Sequence, residues 1–426
     1  MKSFVAPEFN LGSAWFADAA LPLTLKLYQN IEDVIIQPQD KKMLREYRKQ
    51  RLLFFTNHPS QAEPLIAYHV SKIMGSRFNY MATRRAFDFV FGLVGKLFQS
   101  VGVYSILPGL ADRESMKMTR QILSQPHGKL VIFPEGEPMC GENDSLMPFQ
   151  SGILKLGFAA LQDARKKDPA ADLIILPGFI RYVIKSSREE VMENLTHSIR
   201  RIERKLGASP GARNLLRQFL MVGRLLLEQA EERYDLDCPS DKVADFDFRI
   251  GRLRHRILDN VWRKLETANY DKDADAINKL RLLSAHIESL QVGVHAPGFR
   301  RVPLDVMQWA EKELVTAYDF ITIRRDYLVS RPTPERFYEW LARFESIVLG
   351  KTPRALGGEP SPLPRKAYVF FSAAVHLGPY LAEYKQNKQQ LTDRLMEKIR
   401  QDMQHNLDST LELTYNLVPA GDIGDT

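Results

Sequence analysis

The chain has 426 residues and carries 59 Lys and Arg against 52 Asp and Glu, which gives a formal net charge of +7. Hydrophobic residues make up 44% of it, so the chain as a whole is not disordered. Two cysteines, Cys140 and Cys238, exclude a disulfide scaffold and disfavour a cysteine-rich metal site. The length indicates two domains, or one domain with a large insertion. The positive charge is compatible with nucleic acid, an anionic membrane surface or a phosphate-bearing substrate.

The amino-terminal segment favours a protein that is not secreted and does not span a membrane. It lacks the unbroken apolar core of a secretory signal, and the first predicted helix covers residues 22–36. The most apolar stretch, 86–107, is interrupted by Asp88, Lys96 and Gln99, whereas a spanning helix needs about 20 apolar residues. We therefore expect a cytoplasmic protein, peripheral at the inner face of a membrane.

Residues 51–184 alternate between strand-like and helix-like patterns. Short apolar runs bounded by turn residues predict strands, and apolar residues at 3.6-residue spacing predict helices. The predicted strands cover 51–56, 78–82, 101–107, 129–133 and 173–184, and the predicted helices cover 61–74, 87–99, 114–124 and 151–165. This alternation is typical of the α/β class, with helices on both faces of a sheet.

The pattern changes after residue 185 and changes back near residue 365. Helical spacing dominates 187–349, a Pro- and Gly-rich connector covers 353–364, and a strand at 366–374 and a long helix at 389–412 follow. We predict an α/β core in two parts, 20–185 and 365–415. Between them lies an all-helical insertion at 186–364, and residues 416–426 form a loose tail.

A histidine and an acid flank the turn after the first buried strand of the core. The sequence NHPSQAE covers residues 57–63 and contains Asn57, His58 and Glu63. A carboxylate at this spacing can accept a hydrogen bond from one imidazole nitrogen, which sets the tautomer and raises the basicity of the other. The alternative interpretation is a helix-capping asparagine beside a surface histidine.

Three further motifs follow predicted strands, where ligand sites of α/β sheets gather. FPEG at 133–136 contains Glu135 and Gly136, Arg113 follows the strand at 101–107, and Pro177 follows LIIL at 173–176. Taken singly, each has an ordinary interpretation as a turn or a solvated charge.

The order of these motifs resembles that of the glycerolipid acyltransferase family, which includes 1-acylglycerol-3-phosphate and glycerol-3-phosphate acyltransferases. The resemblance covers about residues 50–185 and resumes at 366–412, where the family has a strand with Gly-Pro, here Gly378-Pro379, and a closing helix. MATRRAF at 81–87, which contains Arg84, matches a further basic segment of the family. The resemblance implies a mixed sheet flanked by helices, here with the helical insertion.

The resemblance also implies a reaction in phospholipid metabolism. An acyl chain would pass from acyl-CoA or acyl carrier protein to the hydroxyl of a lysophospholipid or other lipid-like acceptor, with no metal or organic cofactor. His58 would be the general base and Glu63 would orient it. Arg113 would bind a phosphate, and Pro177 would shape the acyl or donor pocket. The substrate-binding set would be Asn57, Arg84, Arg113, Glu135, Gly136 and Pro177.

Two departures from the family pattern support an alternative function. Position 63 holds Glu where the family has Asp, and Glu137-Pro138-Met139 replaces the usual Thr-Arg-Ser after the Glu-Gly pair. The alternative is a weak or inactive relative that binds lipid or a partner through the helical insertion.

Several arginines of the predicted insertion are candidates for contact with an anionic partner. RIGRLRHR at 249–256 places Arg249, Arg252 and Arg256 on one helical face. They are either solvated charges or a patch for lipid headgroups or an acidic carrier protein. Acidic residues are evenly mixed among the arginines and no nucleic-acid-binding module is recognisable, so we do not expect nucleic acid as a partner. We expect peripheral contact with an anionic membrane.

Overall fold

The computed structural model describes residues 4–110, 112–136, 143–209, 211–294, 296–351 and 362–424, with the backbone alone at 89–91. The predicted positions 137–139, Cys140 and most of the 353–364 connector lie outside the described residues. The chain divides into two compact units. The first comprises Met1–Cys140, Asp144–Val183 and Pro364–Glu412, and the second Gly141–Asn143, Ile184–Leu363 and Leu413–Thr426.

The strands are numbered in chain order. They are β1 (Ile31–Ile36), β2 (Leu52–Thr56), β3 (Tyr80–Thr83), β4 (Val103–Ile106), β5 (Lys129–Ile132), β6 (Ile174–Ile184), β7 (Arg365–Phe371) and β8 (Val375–His376).

The helices are numbered in the same way. They are α1 (Leu11–Gln29), α2 (Pro38–Glu46), α3 (Glu63–Met74), α4 (Leu93–Ser100), α5 (Arg113–Ser124), α6 (Gly152–Arg165), α7 (Arg188–Lys205), α8 (Leu215–Arg233), α9 (Phe246–Leu265), α10 (Ala276–Gln291), α11 (Leu304–Thr322), α12 (Arg325–Ser330), α13 (Pro334–Leu349), α14 (Leu381–Gln386) and α15 (Lys388–Ser409).

A six-stranded sheet is the centre of the first unit. Its order is β1-β7-β6-β2-β5, and β8 pairs with β6. β2 runs parallel to β5 and β6, β1 runs parallel to β7, and β8 is antiparallel to β6. β3 and β4 form a separate parallel pair. The prediction of an α/β fold with a mixed sheet is therefore confirmed.

Both faces of the sheet are covered, which explains why its central strands are apolar throughout. Along β2, Leu52 and Phe54 belong to one buried cluster, and Leu53 and Phe55 belong to the other. Residues from α1 and α3 complete the first cluster, and residues from α6 and α15 complete the second. Because side chains of a strand alternate between faces, a strand buried on both sides shows no polar alternation.

The prediction of a helix over 22–36 is wrong in its second half. α1 ends at Gln29, Asn30 adopts a left-handed conformation with φ 51°, and Ile31–Ile36 forms β1. Asparagine tolerates this conformation better than most residues, and the isoleucines and valine that follow favour a strand. The carboxyl-terminal strand β7 pairs with β1, a contact that local sequence does not disclose.

The described part of the second unit contains helices α7–α13 and no strand except the last residue of β6. Phe219 of α8 packs edge-on against Phe337 of α13, with ring centroids 4.9 Å apart. Arg249 is buried and its guanidinium makes an ion pair with Glu231 at 2.6 Å. It therefore does not belong to a surface patch with Arg252 and Arg256, as the helical spacing had suggested.

The last segment of the chain groups with the second unit. The amide of Leu417 donates to the carbonyl of Pro332 at 2.8 Å, and Arg217 pairs with Asp422. Leu417 itself is buried. The description of residues 416–426 as a loose tail is thus corrected for the part that the structure describes.

Candidate active site

His58 and Glu63 are in direct contact at the carboxyl end of β2. The strand ends at Thr56, His58 lies in the following turn, and Glu63 is the first residue of α3. His58 Nδ1 lies 2.7 Å from Glu63 Oε2. The Glu63 side chain is fully buried, and that of His58 is 11% exposed. The turn therefore leaves a small part of the imidazole exposed and buries its carboxylate partner completely.

The buried Glu63 carboxylate accepts hydrogen bonds at both oxygens. Oε2 accepts from the Ser60 amide at 3.0 Å, and Oε1 accepts from Ser60 Oγ at 2.7 Å and from the Tyr182 hydroxyl. Donors arranged in this way offset the cost of burying a charge. Burial, followed by the Glu63 charge, raises the pKa of Tyr182 well above its ordinary value, so the phenol stays protonated and donates.

Arg365, the first residue of β7, adds a cation behind this network. Its guanidinium carbon lies 4.2 Å from the centre of the Tyr182 ring. The side chain is buried, and burial lowers the pKa of Arg365, opposed by the negative charge of Glu63. Arg365 and Glu63 attract each other, so the guanidinium supplies a counter-charge for the buried acid.

The FPEG turn holds the other side of His58. The Phe133 ring stacks on the imidazole, with centroids 3.9 Å apart and an interplanar angle of 22°. Glu135 Oε1 accepts from the His58 amide at 2.9 Å, and Oε2 accepts from the Met147 amide at 2.9 Å. Glu135 is almost fully buried. Its carboxylate therefore joins the histidine turn to the segment that precedes α6.

Gly136 occupies a position that only glycine suits. Its φ is +90°, and a Cβ atom there would lie 1.9 Å from Nε2 of Gln150. The Gly136 amide closes the turn by donating to the Phe133 carbonyl at 2.9 Å. The turn after β5 thus depends on glycine for its backbone conformation, and the Gln150 side chain would have to move to admit a Cβ atom.

Asn57 ties β2 to β6. Its Nδ2 donates to the Ile180 carbonyl at 2.9 Å, and its Oδ1 accepts from the Ile180 amide at 2.7 Å. The residue is completely buried. Ala62, and not Asn57, precedes α3 at the cap position, so the capping interpretation is wrong. The geometry gives Asn57 a structural contact, while its predicted part in substrate binding stays a prediction.

The remaining predicted residues, Arg113, Arg84 and Pro177, belong to other elements of the first unit. Arg113 is exposed at the first position of α5, after Asp112, whose carboxylate caps the helix. Arg84 is buried and pairs with Asp88 at 2.9 Å. Pro177 is buried within β6, where its register partner is Phe55 of β2, so the strand continues through it and does not end there.

Ser60, Phe133, Tyr182 and Arg365 were not among the predicted site residues. Ser60 and Phe133 lie inside the two motifs, and their closeness to His58 and Glu135 was the available signal. Tyr182 and Arg365 come from strands that are distant in sequence, and only the order of strands in the sheet brings them to Glu63.

The first unit also matches a known family. The family model described as Acyltransferase matches residues 35–181, from within β1 to Arg181 of β6. Residues 35–181 are an acyltransferase domain. The protein is accordingly an acyltransferase enzyme, and β7, α14, α15 and most of the second unit lie outside the match. A comparison with curated proteins gave no match.

The described residues contain no group of three or more His, Cys, Asp or Glu side chains that could hold a metal ion. Nor do they include a helix long and apolar enough to cross a membrane.

Proposed function

We propose that this acyltransferase moves an acyl chain from a thioester donor, acyl-CoA or acyl carrier protein, to a hydroxyl of a lysophospholipid or another lipid-like acceptor. His58 is the general base and Glu63 orients it. The observation that carries this proposal is the 2.7 Å contact between His58 Nδ1 and a fully buried carboxylate, inside an acyltransferase domain.

The contact supports one protonation pattern for the proposed base. With Glu63 ionised, Nδ1 carries the proton that the carboxylate accepts, and Nε2 keeps its lone pair. Phe133 and the Glu135 contact to the His58 amide restrain the ring and its backbone. A base positioned in this way contributes about 10²–10⁴-fold to a rate.

The proposed reaction balances without a further reactant. Nε2 of His58 takes the proton of the acceptor hydroxyl while the hydroxyl oxygen forms a bond to the thioester carbonyl carbon. The carbon–sulfur bond then breaks, and the thiolate that leaves takes the proton from the imidazolium. The ionised Glu63 stabilises that imidazolium while it exists, the role of the carboxylate in a catalytic triad.

Arg113 is the proposed contact for an acceptor phosphate. It is exposed at the amino end of α5, where the helix dipole also favours an anion. An anionic membrane surface and an acidic carrier protein remain the proposed partners of the excess positive charge, with the protein peripheral at a membrane face.

His58→Ala tests the proposal, and the chain offers a matched control. His376 Nδ1 also lies 2.7 Å from a carboxylate oxygen, that of Asp172, but the His376 side chain is 52% exposed. We expect His58→Ala to lower acyl transfer from labelled acyl-CoA or acyl carrier protein by at least about 10²-fold and His376→Ala to leave it unchanged. Equal turnover in wild type and His58→Ala would overturn the proposed base. If wild type bound lipid but acylated no acceptor in a broad screen, the alternative of an inactive lipid-binding relative would replace the proposal.

A further inference from the structure

The first helix presents a hydrophobic surface on the side that faces away from the protein. Trp15, Phe16, Leu23 and Leu27 of α1 are 65%, 68%, 60% and 70% exposed. Their spacing places them on one side of the helix, spread over about 18 Å of its axis. We call these four residues the apolar ridge.

The opposite side of α1 is anchored in the first unit. Leu21 and Leu25 belong to the core cluster on one face of the sheet. The Tyr68 hydroxyl of α3 donates to the Ala14 carbonyl at 3.1 Å, and Arg77 pairs with Asp18. A surface helix is normally polar on its outer face, so a firmly packed helix that is apolar on both faces requires a second apolar environment.

The neighbouring helix α4 adds further exposed apolar side chains to this surface. Leu93 and Leu97 of α4 are 63% and 45% exposed. The segment that leads into α1 is hydrogen-bonded to the end of α4, where the Asn10 amide donates to the Ser100 carbonyl at 2.9 Å. Exposed apolar side chains thus occur on two adjoining helices.

The charged residues of α1 and α4 indicate what kind of apolar partner covers these side chains. The sequence of α1 contains two charged residues, Asp18 and Lys26, and that of α4 contains one, Lys96. Asp18 is engaged by Arg77, whereas Lys26 and Lys96 are exposed beside the leucines. Large apolar and aromatic side chains with lysines among them fit the boundary between acyl chains and anionic headgroups.

We propose that α1 and α4 form a membrane-docking face, with the apolar ridge inserted among the acyl chains of an anionic bilayer surface and the two lysines at its headgroups. Since α1 packs on α3, the helix that begins with Glu63, this face adjoins an element that carries part of the proposed catalytic pair. Its role in bringing a membrane-borne acceptor to His58 rests on the proposed function, whereas the docking itself does not.

Vesicle sedimentation with the full chain tests the docking. Wild type should bind vesicles that contain phosphatidylglycerol, and Trp15→Ser/Phe16→Ser should bind them at least about tenfold more weakly. Leu23→Ser/Leu27→Ser is a second variant in case the first does not fold, as judged by circular dichroism. The matched control is Val243→Ser/Leu304→Ser, which removes two exposed apolar side chains of the second unit and should bind like wild type.

Charge dependence and oligomeric state separate the membrane from other occupants. Replacing both Lys26 and Lys96 by Gln should reduce the preference for anionic over zwitterionic vesicles by about fivefold per lysine. Equal vesicle binding by wild type and both ridge variants would overturn the proposal. So would a wild-type dimer that the ridge variants convert to monomers, because a second copy would then cover the ridge.

Activity on two forms of the acceptor separates this inference from the proposed function. Ridge variants should lose turnover of an acceptor presented in vesicles and retain turnover of a short-chain, water-soluble acceptor. Loss of both, in folded protein, would refute delivery by the ridge. Vesicle binding that follows the ridge in a protein without turnover of either acceptor would refute the proposed function and leave the docking face intact.

Discussion

Glu63→Gln isolates the charge of the buried carboxylate from its geometry. The Ser60 amide can only donate, and it lies 3.0 Å from Oε2, so the amide oxygen of a glutamine would occupy that position. The glutamine NH₂ would then face the hydroxyls of Ser60 and Tyr182, which can rotate to accept. His58 Nδ1 would still donate to an oxygen, and its tautomer would be preserved.

The expected loss follows from the missing charge. An imidazolium and a carboxylate with charge centres about 4 Å apart attract each other by about 4 kcal/mol at an effective dielectric constant of 20. Allowing for the neutral hydrogen bond that remains, we expect kcat to fall by about 10²–10³-fold. KM should not change, because Glu63 is fully buried and has no surface to offer a substrate.

The assay is the release of thiol from acyl-CoA, with Glu63→Gln placed in both the wild-type and the His58→Ala background. If Glu63 acts through His58, adding Glu63→Gln to His58→Ala should cause no further loss. A second loss of equal size in the double variant would refute the reasoning. Retention of more than about half of the wild-type kcat by Glu63→Gln would refute it as well.

Three further predictions concern the support of the site and the stability of each unit. Tyr182→Phe removes one hydrogen-bond donor to Glu63, while the donors of Ser60 remain. In steady-state kinetics, kcat should therefore fall about three- to tenfold at unchanged KM. A change confined to KM would contradict this prediction. Gly136→Ala should destabilise the protein by about 1–2 kcal/mol in denaturant unfolding, because its φ is +90°. Gly251→Ala, at a helical position where a Cβ atom would meet nothing within 4 Å, should be neutral or stabilising. Burial raises the pKa of Asp319 to about 7, from an ordinary value of 3.8. The stability that the protonated form of Asp319 contributes is therefore complete below about pH 4 and is lost as the pH rises through about 7. In Asp319→Asn, the melting temperature should change less with pH over that interval than in wild type. Parallel plots of melting temperature against pH for the two proteins would contradict the assignment.

The motifs could be found from the sequence because their geometry is local. His58 and Glu63 are five positions apart across one turn, so the chain between them brings them within reach without help from distant residues. The glycine of the FPEG turn is equally local, since a positive φ favours glycine whatever surrounds it. The class of the first unit followed from the lengths of its apolar runs, because strands buried on two faces are short and apolar throughout.

The predictions that are wrong concern segments whose structure depends on tertiary contacts and not on the local hydrophobic pattern. β1 was assigned to a helix, because isoleucines and valine near residue 31 fit either state until β7 pairs with them. Arg249 was assigned to a surface, because helical spacing does not reveal that Glu231 of another helix neutralises it. Residues 416–426 are predicted as a loose tail, although Leu417 is buried in the second unit.

The class of fold, the acyltransferase motifs and the pairing of His58 with Glu63 can be predicted from the sequence, since they depend on short-range spacing. The burial of Glu63 depends on contacts between elements that are distant in the sequence. Tyr182 and Arg365 reach it from strands more than 100 residues away, and the sheet order sets them beside it. A buried carboxylate needs donors and a counter-charge from every side, and one stretch of chain cannot supply all of them.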